Sequence, residues 1–152
     1  MSVNVHLHLK VSNLEKSRRF YAELFGVEPV KERAGYVKFL PPFAPLNLAL
    51  SPGRPQPWPG TGDHFGIQLD SSEQVGEHLV RIKSAGLPVR EEMNVDCCHA
   101  NQDKFWVKDP DGIEWEIYHL NSDLPEPRSD LPGQKNLKTI TPLCCTPGQT
   151  QH

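Results

Sequence analysis

The sequence predicts an α+β protein built from two tandem βαβββ modules. Two stretches of the chain show the same order of elements, namely a strand, a helix and three short strands. Residues 51–62 separate the two stretches and are rich in Pro and Gly, which is typical of a linker or an open loop. Both stretches begin with a strand that carries a histidine. Two copies of an incomplete unit normally complete one another, so a cleft between them is the expected place for a functional site.

The first module spans about residues 3–51. Residues 3–11 alternate between apolar and polar side chains, which predicts a half-buried strand with His6 and His8 together on its polar face. Asn13 is a good N-cap for the helix that follows, and Gly26 is a typical residue to end it. The three further predicted strands are 28–33, 36–40 and 46–50.

The second module spans about residues 63–120 and repeats this order. Residues 63–69 predict a strand, and Ser71 or Ser72 can cap a helix that runs to about Ala85. Asp109-Pro110-Asp111-Gly112 is a strong turn signal. The further predicted strands are 89–93, 104–108 and 114–119. Residues 1–120 thus form one predicted domain.

Composition narrows the class of protein. Residues 121–152 lack periodicity and are rich in Pro, Ser, Asp, Gln and Thr, which indicates a flexible, disordered tail. The chain has a net charge of -3 and a mean hydropathy of -0.52, with no apolar run of the roughly 20 residues that a membrane span needs. We expect a cytoplasmic protein without a nucleic-acid or membrane partner.

A candidate metal site combines the two opening strands with the last strand. Alternation places Glu114, Glu116 and Tyr118 on one face of that last strand. Two histidines and one carboxylate would hold one side of an octahedral metal and leave the other positions open. This donor set favours iron, although nickel, cobalt, manganese and zinc are chemically compatible. Spacing alone leaves open that these histidines are ordinary surface residues.

Three segments resemble the vicinal oxygen chelate superfamily, which includes glyoxalase I, extradiol dioxygenases, fosfomycin-resistance thiol transferases and bleomycin-binding proteins. The resemblance covers residues 3–120 and implies a metal-containing cleft. By position, His6, His64 and Glu116 match the metal ligands of that family, and His8 is a reserve ligand. The segments are HLHLKV at 6–11 with Asn13-Leu14 and Phe20-Tyr21, DHFGI at 63–67, and DPDGIEWE at 109–116.

The adjacent pair Cys97-Cys98 points to a narrower family. Together with Gln102-Asp103-Lys104, GYVKF at 35–39 and Cys-Cys-Thr-Pro at 144–147, it resembles the organoarsenical C–As lyases and the related cadmium-induced proteins. The resemblance implies an Fe(II)-dependent dioxygenase that uses molecular oxygen to cleave trivalent organoarsenicals. The implied products are inorganic arsenite and an oxidised carbon compound, which is formaldehyde for a methyl substrate. The implied role is organoarsenical detoxification.

The chemistry of paired thiols supports this interpretation independently. Thiolates bind soft, thiophilic centres, and trivalent monomethyl arsenic has two exchangeable positions that match Cys97 and Cys98. We expect these cysteines in a loop at the cleft mouth, where His99 or Lys104 would favour the thiolate. The alternative is that they are merely small loop residues. Cys144 and Cys145 could pass arsenic inward or only scavenge metal.

Several supporting residues and alternatives remain open. Tyr118 could orient oxygen or substrate, Gln102 and Lys104 could hydrogen-bond the metal ligands, and Tyr36 is either a pocket or a core residue. The chain could instead sequester arsenite or cadmium through its thiols without turnover. A glutathione-dependent isomerase or an antibiotic-modifying enzyme would leave the cysteine pair unexplained. The sequence does not decide between methyl and aryl substrates, or between pairing of the modules in one chain and in a homodimer.

Overall fold

The computed structural model describes residues 3–55, 63–97 and 100–123 and has the predicted βαβββ order in both modules. The first sheet has the strand order β1-β4-β3-β2 and the second β5-β8-β7-β6. Only β1 with β4 and β5 with β8 run parallel. No helix in these three ranges is long and apolar enough to cross a membrane. The elements are β1 Val5–Val11, α1 Leu14–Phe25, β2 Lys31–Arg33, β3 Tyr36–Phe39, β4 Leu46–Pro52, β5 Phe65–Gln68, α2 Ser72–Ser84, β6 Val89–Cys97, β7 Ala100–Lys108 and β8 Glu114–Asp123.

Both helices begin at the predicted caps. The side chain of Asn13 accepts a 2.9 Å hydrogen bond from the Lys16 amide, and the Ser71 hydroxyl accepts one of 3.3 Å from the Gln74 amide. Helix α1 ends at Gly26, whose φ of 64° is left-handed and therefore favours glycine. These caps confirm the helix boundaries that the sequence predicted to within one residue.

The two modules share one apolar core. The rings of Tyr21 and Phe25 on α1 each lie 6.0 Å from the ring of Trp115 on β8, so the first module's helix packs against the second module's sheet. The Arg81 guanidinium of α2 donates to the Leu24 carbonyl at the end of α1. The buried faces of both sheets therefore look inward toward each other. We call the two outward faces the first open face, which carries His6 and His8, and the second open face, which carries Glu116.

Four predicted details differ from the structure. The strand predicted at 28–33 begins only at Lys31, because Pro29 cannot donate to a ladder. The apolar residues Val3 and Val5 are 87% and 62% exposed, because the shared core covers only the far end of β1.

The expected loop around Cys97 is mostly a β-hairpin, in which β6 ends at Cys97 and β7 begins at Ala100. The sequence of this segment is polar and does not alternate, so it did not predict these strands. The extended ladder between β7 and β8 stabilises them. Strand β8 runs to Asp123, so residues 121–123, which were predicted to belong to the tail, are part of this strand. Residues 124–152 lie outside the described part of the chain.

Candidate metal centre

The second open face brings two of the predicted ligands together. The Nε2 atom of His64 lies 3.2 Å from the Oε2 atom of Glu116. Strand pairing explains this contact, because β5 runs parallel to β8 with Gly66 opposite Glu116, and His64 immediately precedes that strand. The side chains of His64 and Glu116 are 30% and 10% exposed. An imidazole and a carboxylate are thus held side by side at a half-buried position.

Glycine at position 66 leaves room beside this carboxylate. A Cβ atom on Gly66 would lie 3.4 Å from Glu116 Oε2 and 3.3 Å from the ring of Tyr118. Gly66 has no left-handed φ, so the backbone does not require glycine here. The absence of a side chain instead keeps a space next to the oxygen that faces His64.

The other oxygen of Glu116 is held by a buried lysine. Lys104 is 1% exposed, and its Nζ lies 3.0 Å from Glu116 Oε1 and 3.6 Å from Glu92 Oε2. Register explains the cluster, because Lys104 lies opposite Glu92 on β6 and opposite Tyr118 on β8, two ladder positions from Glu116 and on the same face. The two carboxylates therefore share the Lys104 ammonium, and Arg90 Nε lies 3.3 Å from the other oxygen of Glu92, so each buried charge has a partner.

Trp106 forms one wall of the site. Its ring meets the His64 ring edge-on at 4.7 Å, and the Arg90 guanidinium lies 5.0 Å from its centroid. The sequence reasoning did not assign Trp106 or Glu92 to the site. Alternation on β6 and β7 was the available signal, because Glu92, Lys104 and Trp106 fall on the same face once the hairpin register is known.

Tyr118 shares this face at the rim of the site. Its hydroxyl lies 3.4 Å from Gln68 Oε1, a long contact. Burial, and then the charge of Glu116, raise the pKa of Tyr118 above 10.0, so the phenol stays protonated at neutral pH. Gln102 lies at a register shift between β7 and β8 and is half-exposed.

His6 and His8 lie on the first open face. His8 Nε2 lies 2.8 Å from the Ser51 hydroxyl, which also accepts a 2.8 Å hydrogen bond from Lys10 Nζ. The rings of His6 and Tyr36 each lie 6.4 Å from the ring of His8. This places Tyr36 on an open face rather than in the core.

The structure does not bring His6 to the His64–Glu116 pair within one chain. Residues 3–55, 63–97 and 100–123 contain no group of three or more His, Cys, Asp or Glu side chains that could hold a metal ion. The reason is architectural, because the contacts between the modules run through the inner faces, at Tyr21, Trp115 and Asp109, whereas the two open faces lie on the other side of their sheets. The predicted triad is therefore not a single-chain cluster.

The cysteine pair lies at the end of the β6–β7 hairpin. Cys97 pairs with Ala100, six residues along β7 from Trp106, which corresponds to about 20 Å in a straight strand. The side chain of Cys97 and residues Cys98, His99, Cys144 and Cys145 lie outside the described part of the chain. The hairpin is bent, because β6 has a register shift after Glu92 and Asn94 has a φ of 53°.

Asp103 holds this bend. Its Oδ1 accepts a 2.6 Å hydrogen bond from the Asn94 amide, and its Oδ2 accepts one from the Ser72 hydroxyl. The bond from Ser72 is the main cause that lowers the pKa of Asp103 below 3.8. The hairpin that ends at Cys97 is thereby tied to the start of α2.

The donor atoms suit a divalent transition metal. Imidazole and carboxylate are common ligands of such ions, and the space at Gly66 lies beside the Glu116 oxygen that faces His64. A second imidazole would complete a 2-His-1-carboxylate set. The residues present on the second open face therefore fit the group, with His6 available only from outside this cluster.

Comparison with known proteins identifies the superfamily and the fold. Residues 5–117 match the Glyoxalase/Bleomycin resistance protein/Dioxygenase superfamily. The fosfomycin resistance protein FosX from Listeria monocytogenes, whose structure was solved with Mn(II) and sulfate, is 24% identical with a TM-score of 0.59, covering 78% of this chain and 90% of that one.

Sequence relatives are more specific. The trivalent organoarsenical cleaving enzyme of Bacillus sp. (strain MD1) is 41% identical over 147 residues, which cover 93% of this chain and 89% of that enzyme. The cadmium-induced protein CadI of Mycobacterium bovis is 39% identical over 122 residues, which cover 78% of this chain and 77% of that protein. The chain therefore belongs to the glyoxalase/bleomycin resistance/dioxygenase superfamily and, within it, to the family of the trivalent organoarsenical cleaving enzymes and CadI.

Proposed function

We propose that this protein is an Fe(II)-dependent dioxygenase that cleaves the carbon–arsenic bond of trivalent organoarsenicals and releases inorganic arsenite. The observation that carries the proposal is the His64–Glu116 pair on the same sheet as the hairpin that ends at Cys97. The pair supplies metal ligands, and the adjacent cysteines supply the thiophilic binding site. The proposed biological role is detoxification, in keeping with the name of the Bacillus relative.

His64 and Glu116 would hold the metal together with His6 from a second copy of the chain. The described residues of one chain do not gather three such ligands, so a homodimer that sets the first open face of one copy against the second open face of the other would complete the ligand set. When bound, Fe(II) would supply the activation of molecular oxygen. Such a composite arrangement also encloses the reaction between two sheets and excludes water.

The thiols of Cys97 and Cys98 would hold the arsenic and present its carbon to the metal site. Because a straight hairpin would keep them about 20 Å from Glu116, the arm beyond Glu92 must bend toward the second open face. The register shift after Glu92, the positive φ of Asn94 and the Asp103 hydrogen bond mark the point at which the hairpin departs from a straight ladder. Tyr118, protonated at neutral pH, would act as a hydrogen-bond donor at the rim.

The decisive experiment measures arsenite. Protein loaded anaerobically with Fe(II) is mixed with trivalent methylarsenic, air is admitted, and inorganic arsenite is quantified. We expect arsenite only with iron, oxygen and both thiols, and none from a Cys97→Ser variant that still binds iron. Arsenite formation by that variant at the wild-type rate would rule out the thiol role, and no arsenite from the wild type would rule out the lyase.

A mixing experiment tests the composite site. His6→Ala and His64→Ala are each inactive in the proposal, but a heterodimer of the two contains one intact set of ligands. Co-refolding equal amounts should therefore restore part of the activity. A mixture of His64→Ala with Glu116→Gln is the control, because both changes affect the same side of the site and no intact set forms. Absence of recovery in the first mixture would contradict the shared site.

Sequestration is the second candidate, because the CadI relative is named for induction by cadmium. Cysteine pairs alone would then bind arsenite or cadmium without turnover. The arsenite assay separates the two functions, since sequestration predicts stoichiometric binding of methylarsenic with its carbon–arsenic bond intact.

A further inference from the structure

The Lys104–Glu116 ion pair divides the two carboxylate oxygens of Glu116 between different neighbours. Oε1 lies 3.0 Å from Lys104 Nζ, whereas Oε2 lies 3.2 Å from His64 Nε2 and beside the space at Gly66. The two contacts place one oxygen toward a buried cation and the other toward the candidate metal position. The carboxylate is thereby held in a single orientation.

We infer that Lys104 is a positioning residue that reserves Oε1 of Glu116, so that the carboxylate binds a metal through Oε2 alone. The inference rests on the proposed function of the same site. A carboxylate can bind a metal with one or two oxygens, and a second metal–oxygen contact would occupy a position otherwise open to water or substrate. Lys104 therefore determines how many positions the site leaves open.

The surroundings of Lys104 make it suited to this task. Its ammonium is fully enclosed, lies 5.3 Å from the centroid of Trp106, and is shared between Glu116 and Glu92. A buried ammonium that leaves Glu116 Oε1 would lose a short charge-assisted contact without water to replace it. The contact is thus more persistent than one made by an exposed lysine.

A second lysine on the same strand provides a matched control. Lys108 is two ladder positions past Trp106, its side chain is 63% exposed, and its Nζ lies 3.6 Å from Glu114 rather than Glu116. Lys104→Met and Lys108→Met remove the same charge from the same strand. Only the first removes the partner of Oε1.

The experiment counts water molecules on bound Mn(II). The metal-free protein is titrated with Mn(II), and water-proton relaxation gives both the dissociation constant and the number of inner-sphere waters. Lys104→Met should hold one water fewer than the wild type with no weaker binding, because Glu116 then binds through both oxygens. Lys108→Met and Lys104→Arg should keep the wild-type number, the latter because it retains a cation.

The same number of waters in Lys104→Met and the wild type would overturn the inference. If Lys104→Met does not fold, the variant Lys104→Met/Glu92→Gln removes one cation and one carboxylate together and is judged by the same count. Mn(II) that binds equally to the wild type and His64→Ala would refute the proposed site itself, and with it the role of Lys104. If His64→Ala loses Mn(II) binding but Lys104→Met keeps the wild-type number of bound waters, only the role of Lys104 would be refuted.

Discussion

The Tyr21 hydroxyl donates a 2.8 Å hydrogen bond to Oδ2 of Asp109 and connects the helix of the first module to a turn of the second. Asp109 is buried and also accepts hydrogen bonds from the amides of Asp111 and Ile113. Trp115 Nε1 donates to the same tyrosine oxygen at 3.3 Å. The turn that the sequence predicts at 109–112 therefore also joins the two modules.

Tyr21→Phe should lower the stability of the fold without unfolding the protein. The change removes one hydrogen bond to a buried carboxylate and leaves the Trp115 indole without its acceptor, at an expected cost of about 1–3 kcal/mol in the free energy of unfolding. Urea unfolding followed by tryptophan fluorescence measures this. Tyr36→Phe is the control for loss of a phenol on an open face, and an equal loss of stability in both variants would contradict the bridging role.

Gly66→Ala should weaken metal binding while the fold remains intact. The added methyl group would crowd Tyr118 and Glu116 Oε2, at 3.3 and 3.4 Å, so the carboxylate must shift by a few tenths of an ångström. We expect about a tenfold increase in the dissociation constant for Mn(II), in line with disturbed support of a metal ligand.

Gly76→Ala is the matched control, because a Cβ there meets nothing within 4 Å and lies inside α2. It should leave metal binding unchanged and stabilise the helix by roughly 0.5–1 kcal/mol. Equal metal affinities in both alanine variants would show that the space at Gly66 has no role in ligand placement.

Stability should depend on the protonation of His78. Its Nδ1 accepts a 2.9 Å hydrogen bond from Arg81, whose guanidinium also caps α1 through the Leu24 carbonyl. Burial, and then the charge of Arg81, lower the pKa of His78 below 6.5. The unfolded chain therefore takes up a proton on His78 at a higher pH than the folded chain does. The stabilisation that neutral His78 contributes is complete above pH 6.5 and is lost as the pH falls through the pKa of His78 in the folded state.

Unfolding of the wild type and His78→Asn between about pH 5 and pH 8 tests this dependence. At acidic pH, the free energy of unfolding of the wild type should fall relative to that of His78→Asn. A difference that is constant over this range would show that His78 does not titrate differently in the folded and unfolded states.

Asp103→Asn should loosen the hairpin that ends at Cys97. The neutral amide of asparagine accepts through one oxygen only, so the contacts with the Asn94 amide and the Ser72 hydroxyl lose their charge assistance, and one of them loses its acceptor. We expect faster hydrogen–deuterium exchange in β6 and β7 around the bend and weaker binding of methylarsenic. Asp96→Asn changes an exposed carboxylate on the same hairpin and should leave exchange at the bend unaltered.

Local patterns in the sequence were sufficient for the elements and for part of the site. Alternation and caps predicted both modules, because the period of apolar residues and the hydrogen-bonding needs of helix ends act over a few residues. Alternation on the last strand also placed Glu116 and Tyr118 on one face. The hairpin around Cys97 was not predicted, because this polar segment forms strands through its pairing with β8 and not through a local pattern.

What the sequence determined by itself was the type of each module and the side of each strand on which a residue lies. Only the tertiary structure decided which faces meet. Packing the apolar inner faces together buries Trp115 against α1 and leaves His6 and Glu116 on the sides of their strands that take no part in this contact, and the described residues contain no cluster that joins them. The same packing encloses Lys104, because a ladder register that no local pattern encodes sets it between Glu92 and Glu116. The side of a strand on which a residue lies follows from the alternation of three or four neighbouring residues. Which faces of the two sheets pack together depends instead on the burial of the whole apolar core.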